Sequence, residues 1–163
     1  MSVVDYIIVK PTYKLEISPT TEKLRTSDSL IYHLTLNNYS PTPLHHLPEL
    51  AKWLGVKQIF VKDESYRFGL KSFKGLGTSY VLNEVINVNP TLNTFCTATD
   101  GNHGRALAWS AKLIGKDAVI IVPRHTTKAR IEAIKGEGAK VEIFDGNYDE
   151  ACLYAEKLSR QEG

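Results

Sequence analysis

The chain is poor in the features that mark several protein classes. It has two cysteines, Cys96 and Cys152, far apart and outside any CxxC or His/Cys cluster. Neither a disulfide framework nor a zinc site is indicated, and both read as buried thiols. Neither sign of charge is much in excess: 20 Lys and Arg against 18 Asp and Glu leave a formal +2. That is too even to mark a phosphate-backbone partner, so no nucleic-acid ligand is expected. No run approaches the ~20 apolar residues that cross a bilayer. The opening "MSVVDYIIVK" breaks its apolar stretch with Asp5 and has no basic leader region, so the chain reads as cytoplasmic with no membrane partner. A GxGxxG fingerprint for dinucleotides is missing too. His45 and His46 are adjacent, would point apart, and lie in the loop-like "PTPLHHLPEL", so no metal site is read from them.

What is present suits a globular domain. Residues that are 42% hydrophobic and 23% charged exclude disordered and fibrous classes. A chain of roughly 150 residues buries about two thirds of its unfolded surface, so one domain with a real core is the default. Residues 1–40 show no clean period, and "EISPTTEKLRTSDS" reads as an irregular arm with no compact element. From residue 41 the pattern sharpens. Leu47, Leu50, Ala51 and Leu54 lie at helical spacing before Gly55, which predicts a short helix over 48–54. "KQIFVKDES" reads as a strand, and "SFKGLGTSYVLNEVINVNP" as a helix whose apolar stripe is Leu76, Tyr80, Val81, Val85 and Val88 and whose end is Pro90.

Beyond residue 90 one unit repeats. "TFCTAT" (94–99) reads as a buried strand, with a helix after it through "HGRALAWSAKLIG" that Gly115 closes. "DAVIIVP" (117–123) is a strand before the helix "TTKARIEAIKGEG". "AKVEIF" (139–144) leads to a last helix in "NYDEACLYAEKLSRQEG", with Asn147 and Glu150 at capping-box spacing. Short apolar strands alternating with helices predict an α/β fold: an open parallel sheet built from right-handed βαβ units with flanking helices. Ligands of such sheets lie at the carboxyl ends of the strands, so the loops of interest are 63–74, 99–104, 123–126 and 145–147.

Two stretches carry the chemistry. "GLKSFKGLG" (69–77) puts Lys74 in the first turn of a helix with Lys71 three residues before it. A helix start and a like charge both favour the neutral, nucleophilic amine that a Schiff base requires. The plainer alternative is a pair of solvated lysines at a helix end. "TATDGNHGR" (97–105) turns from a strand into a helix, where Gly101 and Gly104 allow close backbone approach and free N–H groups can hold a carboxylate. Here the plainer alternative is a capped turn.

Taken in order, "PTPL" (41–44), "VKDES" (61–65), "SFKGLG" (72–77) and "TATDGNHGR" (97–105) resemble the pyridoxal-phosphate enzymes of the tryptophan-synthase-β-like fold, fold type II. The likeness covers roughly residues 30–163. Asp100 and the later "FDGNYDEA" most resemble the diaminopropionate ammonia-lyases, because threonine dehydratases usually have serine where Asp100 stands. The resemblance implies pyridoxal 5′-phosphate as cofactor, with Lys74 as its Schiff-base lysine, Phe73 framing the ring and Asn102 bonding its phenolic oxygen. It implies that the backbone of Thr99, Gly101, Asn102, His103 and Gly104 receives the carboxylate of a small amino-acid substrate, and that Asp100 is an acid/base group. The reaction implied is elimination from 2,3-diaminopropionate to pyruvate and ammonia, in a full-length enzyme that is a homodimer.

Two departures from the family bear on these expectations. Lys71 stands where the family often has an uncharged polar residue, which places a second amine near the cofactor. Family members are also more than twice as long. Residues 1–70 are expected to be an arm and part of the larger domain, and 71–163 the small α/β domain. The C-terminal half of the family fold is expected to be absent, and the 163 residues alone to have little lyase activity. Two other readings stay open: a threonine/serine dehydratase-like or cysteine-synthase-like enzyme, and a non-catalytic α/β module that assembles with a partner chain.

Overall fold

The apolar run "DAVIIVP" forms the central strand of a three-stranded parallel sheet in the computed structural model, which describes residues 26–161. The strands are β3 (Thr94–Ala98), β4 (Asp117–Pro123) and β5 (Lys140–Phe144), in that spatial order. Thr94 to Ala98 pair with Asp117 to Ile121, and Val119 to Pro123 pair with Lys140 to Phe144. Because β4 is covered on both faces its sequence does not alternate, and Ile120, Ile121 and Val122 retain no accessible surface.

The helices divide between the two faces. On one side Ile120 and Val122 pack with Leu82 of α3 (Lys74–Val88), Leu107, Ala108 and Ala111 of α4 (Asn102–Leu113), and Ile134 of α5 (Lys128–Lys135). On the other, Ile121 and Ala98 meet Ala151 and Ala155 of α6 (Tyr148–Gln161), with Cys96, Cys152 and Phe144 at the margin. The last helix starts as its sequence predicts: Asn147 N donates to Glu150 Oε2 at 2.9 Å, and Glu150 N donates to Asn147 Oδ1 at 3.0 Å. Gly115, at φ +68°, closes α4.

Before this unit come α1 (Asp28–Leu34), β1 (Leu44–His46), α2 (Pro48–Leu54) and β2 (Phe60–Lys62). β1 and β2 form an antiparallel pair in which Leu44 faces Lys62 and His46 faces Phe60. Every residue of both strands is exposed, and only Ala51 is buried in α2.

Four expectations change. His45 and His46 lie in a strand rather than a loop, held by the ladder to β2. A helix, α1, occupies part of the stretch read as irregular; residues 1–25 of that stretch lie outside the described residues. β3 is half-buried rather than buried, because it is an edge strand of the sheet. In α3 the buried positions are Gly75, Thr78, Ser79 and Leu82, whereas Val81 and Val88 of the expected stripe are exposed. That helix packs through small and polar side chains. Thr78 Oγ1 lies 2.8 Å from Ser110 Oγ, and Ser110 Oγ donates to Ala106 O at 2.8 Å.

Candidate active site

Lys74 is delivered by a loop fastened along its length. Asp63 Oδ1 accepts from Ser65 N at 3.0 Å and Ser65 Oγ at 2.6 Å, which starts a 3-10 turn over Glu64–Gly69. Arg67, buried, donates from Nε to Glu64 Oε2 at 2.8 Å and from Nη1 to Ser40 O at 2.7 Å. Its hydrogen bonds hold the Glu64 carboxyl down at about 2. Phe68 follows with φ +53°, which is costly for an aromatic residue. It is kept there by the Arg67 guanidinium 5.7 Å from its ring centre and by stacking on Trp109 at 4.7 Å. Lys71 is also left-handed, at φ +56°, and exposed. Lys74 then opens α3, its N–H donating to Ser72 Oγ at 3.1 Å. A Cβ on Gly75 would stand 2.8 Å from Leu70 Cδ1, so glycine lets the helix begin tight against the loop.

The second loop leaves β3 and enters α4. Buried Thr99 organises it, its Oγ1 accepting from Gly101 N at 3.0 Å and Gly104 N at 3.1 Å. A Cβ on Gly104 would strike Thr99 Cγ2 and stand 2.7 Å from Ile120 Cγ2, so only glycine lets α4 sit this close to the sheet. The N–H groups of Asn102 and His103 have no acceptor among the described residues, as expected for the first turn of a helix. Arg105 ties the two loops together, bonding Glu137 Oε1 at 2.9 Å and reaching Leu70 O at 3.4 Å.

The loops meet at a cavity of about 540 Å³ lined by Lys74, Thr99, Asp100, Gly101, Asn102, His103, Arg130 and Tyr148. Six of the residues singled out by sequence are thus brought together. Neither Gly104 nor Lys71 is part of the cavity wall. Phe73 lines a neighbouring, more apolar cavity of about 520 Å³ that shares Lys74 and His103, with its ring centre 4.9 Å from Lys74 Nζ. Sequence reasoning missed Arg130 and Tyr148. The loops after β4 and β5 are among those of interest, but these side chains come from the first turns of the following helices.

The electrostatics of the cavity are mixed. The His103 imidazole is pushed below its ordinary value, first by loss of solvent and then by the Lys74 charge. The Tyr148 phenol is pushed up, first by its hydrogen bond to Cys152, and so keeps its proton. Asp100 and Arg130 face each other, with Arg130 Nη1 3.8 Å from Asp100 Oδ2.

This lysine-and-glycine-loop site on a parallel α/β sheet defines a class, and the chain belongs to the pyridoxal-phosphate-dependent enzyme family, whose model matches residues 35–163. Within it the chain is 41% identical over 155 residues to diaminopropionate ammonia-lyase of Salmonella typhimurium, covering 82% of this chain and 38% of that enzyme. The crystal structure of the Escherichia coli diaminopropionate ammonia-lyase, in complex with an aminoacrylate–PLP azomethine reaction intermediate, superposes with a TM-score of 0.80 at 38% identity, over 90% of this chain and 40% of that one. A catabolic L-threonine dehydratase of Staphylococcus aureus is 34% identical over 122 residues, 75% of this chain and 35% of that enzyme. The chain therefore spans well under half the length of these relatives.

Proposed function

We propose that this chain carries the cofactor-lysine part of a pyridoxal-phosphate-dependent ammonia-lyase that converts 2,3-diaminopropionate and water to pyruvate and two ammonia molecules. The observation that carries the reading is that Lys74 and the loop of residues 99–103 line one cavity. Its residues fit the cofactor. Lys74 offers a primary amine that makes no ion pair among the described residues, Asn102 offers a side-chain amide, and Phe73 offers an aromatic face. Lys74 would hold pyridoxal phosphate covalently and Asn102 would bond its phenolic oxygen. When bound, the cofactor supplies an electron sink for charge developing at the substrate Cα.

The chain's own residues supply the rest. The unclaimed N–H groups of Asn102 and His103, at the positive end of α4, orient the substrate carboxylate. Asp100, exposed at the cavity rim, attracts the distal ammonium group and is placed for proton transfer. The His103 ring, kept neutral by burial and by the Lys74 charge, lies beside Lys74 without adding a second cation to the site. Residues 71–163 form the small domain on this reading, and residues up to 70 an arm and part of a larger one. The working enzyme is a cytoplasmic homodimer.

The test is to add pyridoxal phosphate to the chain, reduce with borohydride and map the modified lysine by peptide mass. Label on Lys74 that vanishes in Lys74→Ala is expected; label on Lys71 or scattered over surface lysines would overturn the assignment. The similarity to a threonine dehydratase favours a second reading, in which the substrate bears a β-hydroxyl. A spectral titration of the loaded chain separates the two, since Asp100 should make 2,3-diaminopropionate bind more tightly than L-serine.

A further inference from the structure

Arg130 is in a place its own helix does not favour. It lies in the first turn of α5, where the helix dipole repels a cation, and its backbone N–H is already taken by Thr127 O at 3.0 Å. Its side chain turns instead to the loop after β3. Nη1 donates to Asp100 O at 3.1 Å and lies 3.8 Å from Asp100 Oδ2. Its stem lies along the next residue, with Cδ 3.3 Å from the place a Cβ on Gly101 would occupy. The side chains of Arg130 and Asp100 are 57% and 75% exposed, so the pair contributes little to global stability and its effect falls on local geometry.

We infer that Arg130 is a positioning residue: a latch from α5 that fixes the Asp100–Gly101 peptide and thereby holds both the Asp100 carboxylate and the N–H groups of Asn102 and His103 at the cavity wall. Both contacts come from Nη1, and the planar guanidinium suits this task because it holds its donors in fixed directions, whereas an ammonium on a flexible stem does not. The 3.8 Å separation exceeds a hydrogen bond, so the carboxylate keeps capacity for a substrate ammonium group. What the held loop binds rests on the lyase reading; that Arg130 holds it does not.

The experiment compares Arg130→Ala and Arg130→Lys with the parent chain. In the cofactor-free chain, hydrogen exchange at the Gly101 and Arg105 amides, which bond Thr99 Oγ1 and Gly101 O, should be roughly tenfold faster in the alanine variant and intermediate in the lysine variant. Exchange at Ile120 and Val122 should not change. In the loaded chain, Lys74 labelling should survive in Arg130→Ala while the affinity for 2,3-diaminopropionate falls by about tenfold. Unchanged loop exchange, an equal rise in β4, or full affinity in the alanine variant would overturn the inference. Failure to label Lys74 in the parent chain would sink the lyase reading instead, and the exchange result would still decide on the latch.

Discussion

Two residues show how sharply the architecture around Lys74 depends on single positions. Gly104→Ala forces a methyl group into Thr99 and Ile120 at the point where α4 meets the sheet. A loss of about 1–3 kcal/mol is expected, read as a lower urea midpoint. Glu64 is held by Arg67 at about 2, below its ordinary 4.5, so its contribution is complete above pH 4.5 and is lost as pH falls toward 2. Roughly 2 kcal/mol should disappear over that interval, and Glu64→Gln should flatten this acid limb in pH-dependent unfolding. The placing of Lys74, Asp100 and Asn102 on one cavity was legible from sequence because glycines and chain order frame them. Arg130 and Tyr148 were not, because each reaches the cavity from a helical turn whose local pattern reads as an ordinary helix start.

Among the elements, legibility followed the strength of the local signal. The capping box of α6 is a complete reciprocal pair in the sequence, and the structure closes it as read. Asn147→Ala should therefore cost about 1 kcal/mol, measurable by urea unfolding. α1 escaped notice because its contacts are tertiary. His33 is buried with Nε2 2.9 Å from Leu76 O, a partner 43 residues away and so beyond the reach of local periodicity. The expected stripe on α3 failed for a related reason. A helix that packs by Thr78 against Ser110 and Ala106, with Ser79 also buried, hides its small residues and leaves Val81 outside.

At the scale of the whole chain, the parallel unit and the β1–β2 hairpin with α2 are unequal. β4 has three residues with no accessible surface, whereas the hairpin strands are exposed throughout and α2 buries only Ala51. Amides of β1 and β2 should exchange far faster than those of β4, and among the described residues limited trypsin digestion should cut first at Lys52, Lys57 or Lys62. The parallel sheet was legible because alternating strands and helices admit few arrangements; the inequality was not, since exposure depends on which faces find partners.

The stacking of Phe68 on Trp109 also gives the molecule an optical gauge. Trp109 touches the back of the loop that presents Lys74, while Trp53, the other indole, is 70% exposed. With Trp53 replaced by Phe, the remaining tryptophan emission comes from one ring behind Lys74. A chromophore attached to Lys74 would quench it, and a slackened loop would shift its colour, so the state of the site can be followed in the intact protein without an added label.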